Sequence, residues 1–250
     1  SLRYSPILAS LKTAVRFASP VSPVPAKTRS SPCCSAGSSG KTGLRTASST
    51  GGAAMNPATV LVDVCHPAHA HFFRHPIALW REAGCEVHVA ARDKDVALPL
   101  LREFDLDCTV LGGPRKGIVG LLVELAQRDV ALCALARRTR ADVITAIGGT
   151  FAAHAAFGAR VPSVVFYDTE MATLQNRMTY PLASVVAVPR CYVGWTPARR
   201  TVRYAGYHEL SYLQPQRFRP ERERALAAGL DPGRPTYLLR LVAWTANHDI

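Results

Sequence analysis

At 250 residues and 48% apolar composition, the chain is long enough to bury a core as one large domain or two modest ones. Its formal charge of +12 invites a nucleic-acid reading, but seven of the 30 Lys and Arg residues fall in the first 54 positions, which hold no Asp or Glu. From Met55 onward the balance is 23 against 18, and no basic stripe interleaves with aromatics, so no nucleic-acid partner is expected.

Cys65, Cys85, Cys108, Cys133 and Cys191 each sit in an apolar segment without CxxC spacing. They read as small core residues of a reducing compartment, and the expected location is cytoplasmic. Glu124, Arg128 and Asp129 interrupt the longest apolar run, so no segment reaches the roughly 18 apolar residues of a membrane span. Peripheral membrane contact stays open, as does the oligomeric state.

Residues 1–54 are rich in Ser, Thr, Pro, Gly and Ala, and are expected to be disordered. An acid-free leader containing Arg and Ser resembles an organellar transit peptide. Met55, however, directly precedes a clean first strand, which favours translated upstream sequence or a misassigned start.

From Met55 the pattern alternates. Short β-branched runs at 59–64, 85–91, 108–111, 143–147, 163–167 and 185–188 are nearly continuous in apolar character, as strands buried on both faces are. Helical stretches fall at 71–82, 96–104, 118–138, 151–157 and 171–182. Such alternation predicts right-handed βαβ units and an α/β, Rossmann-like parallel sheet over 55–214. A further strand at 201–204 precedes a proline-bounded linker at 215–235, which carries a short helix at 221–228. A fresh apolar strand at 236–242 then has no partners left, so 236–250 reads as the start of a second domain that continues beyond Ile250.

Ligands of parallel sheets collect at the carboxyl ends of the strands, which makes the following loops the candidate site. The first strand runs into His66-Pro67-Ala68-His69-Ala70-His71-Phe72-Phe73. Imidazoles at a helix N-terminus suit donation to phosphate or base chemistry, with packing or capping as the alternative for each. No neighbouring set of Asp, Glu or Cys completes a tetrahedron, so no metal is expected. The second strand ends in Arg92-Asp93-Lys94-Asp95, where Arg92 suits a ligand phosphate and the acids suit helix capping.

Gly112-Gly113-Pro114-Arg115-Lys116-Gly117 lacks the P-loop form and reads as a solvated basic loop or a contact for an anionic acceptor or lipid phosphate. Gly148-Gly149-Thr150 lets a helix N-terminus approach a ligand backbone-first. After the fifth strand, Tyr167-Asp168-Thr169-Glu170 is followed by Gln175-Asn176-Arg177. Its carboxylates suit sugar hydroxyls or acid–base work; the alternative makes Asp168 a helix cap and pairs Arg177 with Glu170.

Taken together these pieces resemble the family called domain of unknown function 354, which is grouped with GT-B glycosyltransferases and the non-hydrolysing UDP-N-acetylglucosamine 2-epimerases. The carriers are Asp63 with the His66 to Phe73 run, Ala91 to Asp95, Gly148-Gly149, Phe166 to Glu170, Gln175-Asn176-Arg177 through to Ala183, and the closing stretch Leu239 to Trp244 with His248-Asp249. The resemblance covers Met55 to the end and implies the N-terminal half of a GT-B two-domain fold, its second domain cut short.

Against the epimerases, Glu170 and Asn176-Arg177 match, but Gly149 stands where they carry Asp, and Thr173 and Leu174 where they carry two Glu. Most of the proton-shuttling set is missing, so epimerisation is the lesser expectation. The His-Pro-x-His loop is similar to the first loop of the N-acetylglucosaminyltransferase that acts on lipid-linked peptidoglycan precursors. That similarity implies transfer of a sugar from a nucleotide-sugar donor to an unidentified acceptor, with no cofactor. His66 or His69 would be the base, while Asp168 and Glu170 would bind hydroxyls. His71, Arg92, Gly148, Gly149, Asn176 and Arg177 would line the cleft. Most of the donor site would lie in the second half, so this chain alone is expected to be inactive; a non-catalytic nucleotide-sugar-binding protein is the other expectation.

Overall fold

The computed structural model describes residues 57–113, 115, 117–237 and 239. The leader at 1–54 lies outside them, as do Pro114, Lys116 and most of the strand expected at 236–242 and the stretch that follows it; Thr236 and Tyr237, which are described, are not in a strand.

Seven parallel strands form a single sheet in the order β3-β2-β1-β4-β5-β6-β7. They are β1 Thr59–Val64, β2 Glu86–Ala91, β3 Thr109–Val110, β4 Val143–Ile147, β5 Ser163–Phe166, β6 Val185–Pro189 and β7 Thr201–Tyr204. The helices between them are α1 Pro67–Glu82, α2 Ala97–Glu103, α3 Gly117–Arg138, α4 Thr150–Ala159 and α5 Thr173–Thr179; α6 Leu210–Leu213 and α7 Arg222–Ala227 follow β7. The fold is therefore the Rossmann-like α/β architecture expected from the alternation. Several boundaries differ. α1 starts four residues earlier than periodicity predicts, because Pro67 is pre-shaped for the first helical turn and His66 caps it. β3 shrinks to an exposed two-residue edge strand. The short α6 is too brief to leave a periodic trace.

The two-residue period of a strand divides the core. On β1, Val60, Val62 and Val64 face a cluster with Phe72, Phe73, Ile77 and Trp80 of α1 and Leu101 of α2. Leu61 faces the other way, against Leu132 and Leu135 of α3 and Ala152, Ala155 and Ala156 of α4. Each such large apolar side chain contributes about 1.5–3 kcal/mol by leaving water. The alanines of α4 let that helix lie close to the sheet. Asp63 has the parity of Leu61, so β1 presents a carboxylate to α3.

The chain leaves β1 toward β2 on one side and β4 toward β5 on the other, while β1 and β4 themselves pair, with Asp63 opposite Ala146. Their carboxyl ends thus frame the switch point, where a crevice opens in sheets of this kind. α3 begins beside it. Its first turns stand clear of the core, with Ile118 80%, Val119 75% and Leu122 60% exposed. Among the described residues, no helix is long and apolar enough to cross a membrane.

Candidate active site at the switch point

Two imidazoles build the start of α1. The His66 Nδ1 accepts the Ala68 N–H at 3.2 Å, and the His69 Nδ1 accepts the Cys65 N–H at 3.2 Å. This is the logic of a capping box, with histidines in place of Ser and Glu. Because each Nδ1 is an acceptor, the neutral ring carries its proton on Nε2. Burial lowers the affinity of both rings for a second proton; His69, close to the charges of His66 and His208 as well, is pushed down to about 3. Each ring therefore carries a donor at Nε2, whereas a base needs a free lone pair. His71 stands elsewhere. Two residues beyond His69, it is turned about 200° around the helix and packs between Phe104 and Tyr212, with centroids 5.2 Å from each.

The opposite wall is backbone. Gly148 and Gly149 both have left-handed φ, +69° and +45°. A Cβ on Gly149 would lie 2.3 Å from the Val165 Cγ1, so glycine alone fits between α4 and β5. The Gly148 carbonyl is held by the Tyr167 hydroxyl and by the Gln175 amide at 3.1 Å. Gly149 caps α4 without any side-chain partner, which leaves the first N–H groups of that helix without a side-chain cap at the carboxyl end of β4.

The floor is ionic. Arg128 of α3 donates to Asp63 at 2.5 Å and to the Leu111 carbonyl at 2.8 Å, with both charged side chains 1% exposed. Arg92 pairs with Glu124, one turn earlier on α3, rather than standing free for a phosphate. Burial and Asp63 push the neighbouring Cys65 thiol up, which disfavours the thiolate there.

Asp168 completes the site. One carboxylate oxygen lies 3.0 Å from the His208 Nδ1 and the other accepts from the Thr169 hydroxyl at 3.1 Å. The hydrogen bond from His208 holds its carboxyl below the usual carboxylate range. Asp168 does not cap α5, whose N-cap is Ala172. Glu170 accepts the Val193 N–H at 3.3 Å, tying two loops together. Arg177 is exposed and, among the described residues, forms no ion pair. Asn176, on α5 itself, is buried, its Oδ1 without a hydrogen-bond partner among the described residues.

The structure thus gathers His66, His69, Gly148, Gly149, Asp168 and Glu170 at the carboxyl ends of the strands, and gives His71 and Arg92 to packing and pairing. Sequence reading missed His208. It follows the carboxyl end of β7, so the rule that drew attention to the earlier loops would have found it. Among the described residues, no group of three or more His, Cys, Asp or Glu side chains is placed to hold a metal ion.

A family model described as "Protein of unknown function (DUF354)" matches residues 58–218, more than half of the chain. An uncharacterised protein of Methanocaldococcus jannaschii is 25% identical over 130 residues, 52% of this chain and 38% of that protein. MurG of Acinetobacter baumannii superposes with a TM-score of 0.50 at 18% identity, covering 60% of this chain and 46% of that one. An S. aureus MnaA–UDP co-structure gives 0.47 at 12% identity, covering 68% and 51%. The likeness to MurG is one of fold. The chain spans about half the length, or less, of the proteins it matches.

Proposed function

The chain belongs to the family described as protein of unknown function (DUF354), and from that premise we propose that its cleft serves the acceptor side of a GT-B-like glycosyl transfer. A nucleotide sugar is the donor and a hydroxyl compound the acceptor. One observation carries the reading: two imidazole donors, an uncapped helix start and an anchored carboxylate meet at a single switch point. Donors and helix N-terminus suit phosphate oxygens or the oxygen of a sugar, and a carboxylate suits hydroxyls.

In this reading the acceptor hydroxyl donates to Asp168. Its oxygen attacks the anomeric carbon, the bond from that carbon to the diphosphate breaks, and the nucleotide leaves with the electron pair. Asp168 takes the hydroxyl proton. His66 and His69 donate to oxygens that gain charge. The role of base thus falls to the carboxylate rather than to either imidazole. Glu170 braces the neighbouring loop through Val193. The exposed Ile118, Val119 and Leu122 beside the crevice favour an acceptor that carries an apolar portion. Epimerisation gains no support, since the position corresponding to an epimerase acid is Gly149, where no side chain fits.

Calorimetric titration of the full-length protein with a panel of nucleotide sugars, beginning with UDP-N-acetylglucosamine, tests the reading. Binding weakened by Asp168→Asn is the expected result. Absence of heat with every member of the panel would sink it.

A further inference from the structure

His208 is separated from Asp168 by 40 positions and by two strands of the sheet, yet its Nδ1 reaches the carboxylate at 3.0 Å. The two ends of this pair live in different surroundings. The His208 side chain is 7% exposed and the Asp168 side chain 41%. The ring sits in an aromatic box: Phe72 edge-on at 4.9 Å, Phe166 edge-on at 6.3 Å and Tyr204 stacked at 6.2 Å. Its Nε2 is buried and, among the described residues, has no hydrogen-bond partner.

An imidazole enclosed this way cannot exchange protons with a substrate, so it is not the reacting group. In a Ser-His-Asp triad the carboxylate is the buried member and the imidazole meets the substrate. Here the order is reversed: the carboxylate meets solvent and the imidazole is locked behind it. The box fixes the ring plane, and the ring plane fixes the carboxylate. A carboxylate offers about four lone-pair positions, and His208 and Thr169 fill two of them. The carboxylate is otherwise open to solvent, the Asp168 side chain being 41% exposed.

We propose that His208 is a positioning residue for Asp168, anchoring the carboxylate from behind so that its free lone pairs form a fixed acceptor for the hydroxyls of a sugar or other polyol. The assignment rests on the glycosyl-transfer reading for the identity of the ligand, but not for the anchoring itself. Pre-set acceptors of this kind spare a binding site the entropy of ordering a free side chain. Ionisable groups around the pair include His69, Tyr204, Cys191 and Glu209. His69 is neutral over the working range and Tyr204 is pushed up, so neither competes for Asp168 near neutrality.

Two substitutions separate anchoring from packing. His208→Phe keeps a ring in the aromatic box and removes the donor; His208→Asn gives up the ring but returns an amide nitrogen near the Nδ1 position. The carboxyl carbon of Asp168 is followed by NMR through an acid titration in the full-length protein. The midpoint is expected to move up in His208→Phe and to return toward the wild-type value in His208→Asn. If His208→Phe is folded and the Asp168 midpoint does not move, the proposal is overturned. If His208→Phe does not fold, His208→Asn decides: a wild-type midpoint supports anchoring, and an ordinary carboxylate midpoint overturns it.

A second arm uses UDP-N-acetylglucosamine as probe. Asp168→Asn and His208→Phe each weaken binding by about tenfold, and the double variant binds no worse than Asp168→Asn alone, the non-additivity of one unit. Additive losses overturn the positioning role. If the probe does not bind wild-type protein while the NMR midpoint still responds to His208, the functional reading fails and the anchoring stands.

Discussion

Arg128 and Asp63 are 65 positions apart in sequence and form a buried ion pair with both side chains 1% exposed. The pair is one of three that α3 sends out. Glu124 lies one helical turn before Arg128 and holds Arg92, and Asp129 holds His154 of α4 at 2.7 Å. Residues i and i+4 share a helix face, so Glu124 and Arg128 meet the ends of β2 and β1 side by side. The charges that break the apolar run of this helix therefore fasten it beneath the crevice.

Removing one partner of such a pair leaves an uncompensated charge in the core. Arg128→Met is expected to cost about 3–5 kcal/mol, with Asp63→Asn plus Arg128→Met recovering much of it. Guanidinium unfolding at neutral pH measures both. Equal stability for the single and double variants would contradict the pairing.

His154 titrates with the opposite sign from the other shifted histidines. The hydrogen bond to Asp129 raises it above 6.5. Its contribution is fully present below pH 6.5 and is lost as pH rises through the folded value. His69, at about 3, and His75, at about 4, are kept neutral by burial and so cost stability as pH falls below 6.5. The stability difference between wild type and His154→Gln should be largest below pH 6.5 and shrink above it. A difference that stays constant from pH 5.5 to pH 9, on the scale of the ordinary imidazole midpoint near 6.5, would refute the assignment.

Gly84 and Gly149 separate backbone strain from collision. Gly84, φ +83°, follows α1 with nothing within 4 Å of a Cβ; Gly149, φ +45°, has Val165 at 2.3 Å. Gly84→Ala should cost about 1 kcal/mol. Gly149→Ala adds about 1–3 kcal/mol of overpacking to that. Urea midpoints for the two variants give the comparison; similar values would mean that α4 shifts freely away from β5.

The two faces of α1 give a further contrast. His71→Phe should leave both stability within about 1 kcal/mol and nucleotide-sugar titration unchanged, since the ring already packs on Phe104 and Tyr212. His69→Phe removes a donor from the crevice and should weaken the titration. Equal weakening by both would mean that the helix is turned differently.

The order of strands and helices was legible because hydrophobic period is a local property: runs such as Val60 to Val64 and Val143 to Ile147 declare themselves within a few residues. So did the loops that hold His66, His69, Gly148, Gly149 and Asp168, because a parallel sheet collects its ligands at one edge. Local sequence also limited Gly149, yet only the closeness of Val165 explains why no other residue fits there. The partner of each charged group was not legible. Arg92 turned to Glu124 rather than outward, Asp168 to His208 rather than to the cap of α5, and Asp63 to Arg128. Pairings of that kind depend on which side chains the folded sheet brings within 3 Å or so of one another, and Coulomb attraction in a buried setting carries no periodic trace along the chain. The sequence by itself determined the α/β alternation and which loops follow the carboxyl ends of the strands; tertiary packing decided which of the histidines and carboxylates in those loops are paired, which are packed and which stay exposed, because those partners come from distant parts of the chain.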